Sequence, residues 1–450
     1  MSEVAIIGVG ASGVAAALLA RAKGAEVYVS DMRDDAAAAA GADRIRGVGA
    51  AVELGRHDLD RIARADAVVV SPGVPPDAPV LRALAERGVR WISEPEFAFR
   101  FFQGPLIAVT GTNGKTTTTA LIGHLLRAAG VDAVVGGNIG AALGPAASEL
   151  AQREPPPAWY VVEMSSFQLA AVERFRPDIG VVTNLAPDHL DRYASVEAYY
   201  GDKARIFDNA DEKSAWVLNG DDPDVLALAG DAPGRRLRFS LESVDAEARL
   251  EDGRLVLDVG EGREEIMERD ALPLLGAHNV ANALAAALAA RLAGARPAAV
   301  ARGLATVRPL PHRLEPVADE AGVLWVNDSK ATNVSAAVSA VASLSARPLV
   351  VLLGGKDKGE DLAPLADALV GRARAAIVYG AAGDRIAAAL GDRVPVRRVR
   401  GGFDAAVAAA RAEARAGDVV LLAPACSSFD EFTGYEERGR RFAALARSRP

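Results

Sequence analysis

Residues 105–119 read Pro105-Leu-Ile-Ala-Val-Thr-Gly111-Thr-Asn-Gly-Lys115-Thr-Thr-Thr-Thr119, and the reading of the whole chain starts there. Leu106 to Val109 is a short apolar run, the pattern of a parallel strand buried on both faces. Gly111 to Gly114 is a turn in which the backbone has to come close to something bulky, and Lys115 then opens a helix whose apolar side continues through Leu121, Ile122, Leu125 and Leu126. A helix start carries unpaired N–H groups and the positive end of the dipole, and glycines let those groups touch a phosphate. Gly111, Thr112, Asn113, Gly114, Lys115, Thr116 and Thr117 are therefore expected to cradle a nucleotide triphosphate. Lys115 would reach the β and γ phosphates, and the Thr116 hydroxyl would sit on Mg²⁺. Val109 stands where the general pattern of such loops has an earlier glycine.

A length of 450 residues is too great for one core and suggests about three domains. Half the residues are hydrophobic and the formal charge is −8, a soluble globular balance with no basic face for nucleic acid. The single Cys426 excludes an intrachain disulfide framework and fits a reducing, cytoplasmic setting. No segment approaches an uninterrupted apolar twenty-mer, and Glu3 stands where a secretory signal would be basic.

Toward the N-terminus, Val4–Ile7 reads as a strand, followed by Gly8-Val-Gly10-Ala-Ser12-Gly13, a helix, and a second strand ending in Asp31. This is a βαβ unit with a dinucleotide-type fingerprint and an acid about twenty residues on. It calls for a diphosphate at a helix start, and both NAD and a UDP-sugar satisfy that. Toward the C-terminus, Glu163 closes an apolar strand, where ATPases place the carboxylate that holds Mg²⁺. A further strand ends in Asn184-Leu-Ala-Pro-Asp188-His189-Leu-Asp191-Arg-Tyr193, so His189 sits among carboxylates and favours a metal or phosphate role. A hairpin is expected at Asp252-Gly253. His57 and His124 read as structural or solvated, while His278 and His312 lie in polar clusters whose role stays open. Beyond a Pro-rich linker at Leu310–Glu315, four apolar strands alternate with helical patterns, and each closes on polar or glycine residues. The expected fold is α/β in three domains: N-terminal Rossmann-like (1–98), central P-loop ATPase-type (99–309) and C-terminal Rossmann-like (310–450).

These motifs together resemble the Mur ligases, the ATP-dependent amide-forming enzymes of bacterial cell-wall synthesis. Gly111–Thr116 is shared across that family. Glu163-Met-Ser-Ser-Phe-Gln-Leu169, Asp188–Tyr193, Asp328-Ser-Lys330-Ala-Thr332-Asn333 and Ser427-Ser428-Phe429-Asp-Glu-Phe432 resemble the member that adds D-glutamate to UDP-N-acetylmuramoyl-L-alanine. The resemblance implies UDP on Gly8, Gly10, Ser12 and Gly13, beside Asp31, Arg33, Ser71 and Gly73, with Asn138 near the reacting end. It implies ATP on the phosphate loop with Asn282, Arg313, Asp328 and Lys330, and two Mg²⁺ ions held by Thr116, Glu163, His189 and Lys203. Lys203 would be anionic, carbamylated by CO₂. Lys115, Asn138, His189 and Lys203 make up the implied catalytic set, and D-glutamate falls to Thr332, Lys358, Ser428, Phe429 and Tyr435. Met32 stands where the family carries a hydroxyl residue, and Tyr435 where it carries phenylalanine. A monomer is the family expectation. A nicotinamide dehydrogenase would leave the phosphate loop and Glu163 unexplained, and a folylpolyglutamate synthetase is expected to lack the N-terminal βαβ domain.

Overall fold

The computed structural model describes residues 2–140, 143–190, 192–260, 262–344 and 347–448. Asp191, part of the acidic cluster expected around His189, lies outside the described residues.

Among the described residues the strands form three sheets. The first runs β3 (Ala51–Leu54), β2 (Glu26–Asp31), β1 (Glu3–Ile7), β4 (Ala67–Val70) and β5 (Ile92–Ser93), all parallel. The second contains β6 (Leu106–Thr110), β7 (Ala133–Gly137), β8 (Trp159–Glu163), β9 (Ile179–Val182), β10 (Ala215–Asn219), β11 (Arg235–Ser240), β12 (Ala248–Glu251), β13 (Arg254–Asp258) and β14 (Arg263–Glu268). Its order is 14-13-12-11-10-9-6-8-7, with β6 between β9 and β8; the β12–β13 and β13–β14 pairings are antiparallel and the others parallel. The third joins β15 (Glu315–Glu320), β16 (Val323–Asn327), β20 (Val419–Leu422), β17 (Leu349–Gly354), β18 (Ala373–Tyr379) and β19 (Val396–Arg398), with only β15 antiparallel.

Sequence explains the central strands simply: every residue of β6, β17 and β20 is buried, as parallel strands covered on both faces require. The β12–β13 turn is Asp252-Gly253 with φ of 48° and 76°, the two left-handed residues a tight hairpin needs. The segment expected to be only a linker runs directly into β15, an edge strand too polar to announce itself.

The chain divides into two compact units. The first takes Met1–Leu185, Ala194–Arg269 and Asn282–Leu304, and so contains the first two sheets; the second takes Ala186–Tyr193, Asp270–Ala281 and Ala305–Pro450. Within the first unit, the short helix Glu94–Phe99 ties the two sheets together. Buried Glu96 accepts the backbone N–H groups of Glu173, Arg174 and Phe175 at 3.0, 3.0 and 2.7 Å. Val4, Val29 and Phe97 share one apolar cluster with Leu106, Val162 and Phe175.

Candidate active site

The nucleotide loop is built as its glycines demand. Gly111 has φ +138°, and a Cβ there would lie 2.1 Å from Thr183 Oγ1; Gly114 has φ +81°, and a Cβ would lie 2.4 Å from Asn282 Oδ1. Either substitution would meet a steric block as well as a backbone that side chains avoid. Asn184 pins the loop: its carbonyl accepts from Thr112 N at 2.8 Å, its Oδ1 from Asn113 N at 2.9 Å, and its Nδ2 donates to Asn113 O at 2.8 Å. Sequence reading quoted Asn184 without giving it a task. Lys115 Nζ folds back onto the carbonyls of Gly111 and Thr112 at 3.0 and 2.8 Å, and Thr118 Oγ1 donates to Asn282 Oδ1 at 3.2 Å. Thr116 and Thr117 are buried in the first turn of the helix Lys115–Ala128.

Lys203 lies on the helix Val196–Ala204, 1% exposed, and its Nζ donates to Gly111 O at 2.6 Å. Its ammonium also stands 4.6 Å from the centre of the Tyr199 ring, whose hydroxyl bonds Thr112 Oγ1. An isolated helical lysine is ordinarily solvated; this one is a buried support of the loop.

Glu163 ends β8 beside β6, paired in register with Val109. It is 1% exposed; Oε1 accepts from Asn138 Nδ2 at 3.0 Å, and Oε2, screened from water, accepts no hydrogen bond among the described residues. A buried anionic oxygen without a donor is costly unless something cationic meets it. The residues therefore fit a divalent cation at the tip of β8. Among the described residues no three His, Cys, Asp or Glu side chains could cage a metal by themselves.

At the tip of β1, Gly8 (φ +105°) and Gly13 allow close packing, since a Cβ on Gly13 would lie 1.9 Å from Gly8 O. Gly10 and Gly73 face open space, with nothing within 4 Å of such a Cβ, and Ser12 is partly exposed beside Gly10. Ser71 is buried against Gly8. Asp31 is occupied within the protein: Oδ2 takes Val9 N and Arg33 Nη2, both at 3.0 Å, and Oδ1 takes Arg33 N at 2.9 Å. Burial works against its charge, but these donors outweigh burial and hold the carboxyl below its usual range. Asp31 thereby stiffens the glycine loop and holds Arg33, whose guanidinium is about half exposed, facing outward.

The second unit gathers the remaining groups at the ends of its strands. Asp328 follows β16, largely buried, with Oδ1 accepting from Leu314 N at 3.3 Å; burial pushes its carboxyl up to about 7 despite Arg313 and that bond. Lys330 Nζ stands 4.0 Å from the centre of the Tyr435 ring. Thr332 precedes Asn333, whose Oδ1 caps the helix Val334–Ser343. Lys358 Nζ pairs with Asp188 Oδ1 at 3.3 Å, while Asp188 also takes Asn333 Nδ2 at 3.0 Å and His189 N at 2.8 Å. Burial opposes that charge, yet Lys358, His189 and Asn333 hold the Asp188 carboxyl down at about 2. His189 adopts φ 57°, with Nε2 3.8 Å from Asp188 Oδ2. Ser428 is buried, Phe429 is 68% exposed, and Tyr435 opens the helix Tyr435–Arg447.

Arg438 is a structural centre that sequence reading missed. It is fully buried, and its guanidinium reaches Ser329 Oγ at 3.0 Å, Ser329 O at 2.9 Å, Cys426 O at 3.2 Å, and Gly354 O and Ser427 O at 3.4 Å. One side chain thus knits together the loops after β16, β17 and β20. The signal was helical periodicity: Arg438 shares a face with Phe442 and Ala446. The remaining histidines have structural partners: His57 bonds Ser30 Oγ, His124 bonds Gly303 O, and His312 packs on Gly439 and meets Asn327. His278 meets Ser343 Oγ at 3.1 Å, and burial, with Arg313 nearby, lowers it to about 4. Burial pushes the Cys426 thiol up to about 12, which leaves it unreactive.

Comparison with known proteins adds an independent line. Residues 2–93 match the family described as Mur ligase MurD-like, N-terminal domain; residues 109–290 match Mur ligase middle domain; residues 312–426 match Mur ligase, glutamate ligase domain. A protein of Acidobacterium capsulatum named UDP-N-acetylmuramoylalanine--D-glutamate ligase is 43% identical over 98% of this chain and 95% of its own. One of the same name from Anaeromyxobacter dehalogenans is 44% identical over 99% of this chain and 97% of its own. Among solved structures, the UDP-N-acetylmuramate-alanine ligase of Thermotoga maritima aligns with a TM-score of 0.61 at 20% identity, covering 99% of both chains. A pseudomurein peptide ligase type C of Methanothermus fervidus aligns at 0.63 and 21%, also covering 99% of both. At those identities the structures speak for the fold.

Proposed function

The chain belongs to the Mur ligase family, and we propose that it joins D-glutamate to the L-alanine carboxylate of UDP-N-acetylmuramoyl-L-alanine, with ATP consumed, in the making of peptidoglycan precursors. The observation that carries this reading is the likeness along the whole chain to ligases of that name.

The chemistry follows from charge. A carboxylate accepts an amine poorly until one of its oxygens becomes a leaving group, so the γ-phosphoryl of ATP is first transferred to it, giving an acyl phosphate. The amine then attacks the carbonyl carbon, and phosphate leaves. The first step brings two anions together, and the loop N–H groups and Lys115 would neutralise them. Mg²⁺, when bound, would spread the phosphate charge further. Thr116 and the free Oε2 of Glu163 would hold one ion, and Glu163, His189 and Lys203 a second. Asn138 fixes the other oxygen of Glu163 and so orients the carboxylate. An ammonium at Lys203 would repel cations, and we infer that CO₂ converts it to a carbamate.

Gly10, Ser12, Gly73 and Arg33 would take the UDP diphosphate, with Gly8, Gly13, Asp31 and Ser71 shaping the cradle. Asn282, Arg313, Asp328 and Lys330 would position ATP. D-glutamate falls to Thr332, Lys358, Ser428, Phe429 and Tyr435; the exposed Phe429 ring is open to a ligand. Among the described residues no helix is long and apolar enough to cross a membrane. From the family likeness we place the enzyme in the cytoplasm and expect a monomer. The deciding assay is phosphate release that requires both UDP-N-acetylmuramoyl-L-alanine and D-glutamate. Equal turnover with L-glutamate or a diamino acid would overturn the reading.

A further inference from the structure

One acid in the second unit has no task in the account above. Glu360 follows Lys358 by two residues after β17, and its Oε2 accepts from Val334 N at 2.9 Å. Its Oε1 is screened from solvent and accepts no hydrogen bond among the described residues. The neighbouring carboxylate is different: Asp188 already receives Lys358 Nζ, Asn333 Nδ2 and His189 N. Asp357 is engaged by Arg385. Glu360 therefore offers an oxygen without a donor, close enough to Lys358 and Asp188 to feel both charges. Burial, joined by Asp188, pushes the Glu360 carboxyl up to about 7 although Val334 N and Lys358 favour its charge.

We propose that Glu360 receives the ammonium group of the incoming amino acid and is a specificity-determining residue for the amine substrate. The inference rests on the ligase reading above. An amino acid carries an ammonium and a carboxylate on one carbon, and Lys358 with Glu360 presents a cation and a donor-free carboxyl oxygen, which an arriving ammonium would hold ionised, two residues apart in one loop. Asp188 is the weaker candidate because three donors already occupy it.

The test compares D-glutamate with glutarate, which has the same two carboxylates and no amine. Both are bound to the full-length wild type and to Glu360→Gln, with UDP-N-acetylmuramoyl-L-alanine and a non-hydrolysable ATP analogue present. Glutamine keeps a carbonyl oxygen for Val334 N, so the helix start is preserved while the charge is lost. D-glutamate binding is expected to weaken about 10- to 100-fold, the range for a charged hydrogen bond, with glutarate changed less than about twofold. Equal weakening of both ligands, as a purely structural role would give, or no change in either, overturns the proposal. Hydroxylamine trapping of the acyl phosphate is run alongside: failure in the wild type sinks the ligase reading itself, whatever Glu360 does. If Glu360→Gln loses trapping, Glu360→Asp decides: it retains the anion and must still prefer D-glutamate to glutarate, and loss of that preference counts against the proposal.

Discussion

The Lys203 ammonium donates to the Gly111 carbonyl at 2.6 Å, so a buried lysine is fastened to the turn that opens the phosphate loop. Removing it takes away a support of the loop and, on the proposal that CO₂ converts it to a carbamate, a group that would hold metal. Lys203→Ala is expected to lower kcat by about 100-fold or more, the scale of losing a charge-stabilising group. Bicarbonate or small carboxylates should restore part of it, measured as phosphate release with and without added acetate. Wild-type activity in the variant would rule out the carbamate.

The proposed metal-holding role of Glu163 can be tested apart from folding. Its Oε1 is held by Asn138 and its Oε2 by no donor among the described residues, so Glu163→Gln keeps the first contact and removes the carboxylate. The variant should unfold at a denaturant midpoint at or above that of wild type, because an unpartnered buried charge has gone. Turnover should fall by about 100- to 1,000-fold, and the Mg²⁺ concentration for half-activity should rise. Unchanged Mg²⁺ dependence would remove Glu163 from the metal site.

How much of this was legible depended on which forces spoke locally. The phosphate loop, the glycine loop and the strand bearing Glu163 are readable because apolar runs, glycines and a following helix lie within a few residues of one another. The buried strands β6, β17 and β20 announce themselves by unbroken hydrophobicity, whereas β15 and β19 are edge strands whose polar residues look like loop. The support given by Asn184 to the loop, the engagement of Asp31 with Val9, and the bonds of Arg438 all join residues distant in sequence. Those depend on tertiary contact, which composition and period do not encode. The tasks of Lys203 and Asn282 came only through resemblance, since a helical lysine and an asparagine in an alanine-rich helix are ordinary surface residues.

Arg438 should prove a stability determinant. Its guanidinium serves carbonyls from three strand-end loops inside a site closed to water, so truncation leaves several buried acceptors without donors. Arg438→Ala is expected to cost about 3–5 kcal/mol, as for other broken buried charge networks, read as a lower urea midpoint. Arg438→Lys should recover little, because one ammonium cannot span the same acceptors as a planar fork. The D-glutamate KM should rise in whatever fraction stays folded, since Ser428 follows the Cys426–Ser427 carbonyls that Arg438 holds.

Glu94 gives a pH prediction with a definite sign. It is buried in the first unit, with Oε1 accepting from Ser148 N at 2.5 Å and Oε2 without a hydrogen bond among the described residues. Burial raises its carboxyl from 4.5 to about 7, against the donors at Ser148. A group whose folded value is raised binds its proton more tightly when folded, so its stabilising contribution is complete below 4.5 and is lost as pH rises toward 7. The loss corresponds to on the order of 3 kcal/mol by pKa linkage. Asp328 and Glu360 are raised as well, so the wild-type curve alone does not isolate Glu94. The difference between wild type and Glu94→Gln does, because glutamine keeps an acceptor for Ser148 N and does not titrate. The variant should gain on wild type between pH 5 and 7 and be the more stable at pH 8, measured by urea unfolding across that range. A difference that stays flat with pH would mean that Glu94 is ionised throughout and that burial does not govern it.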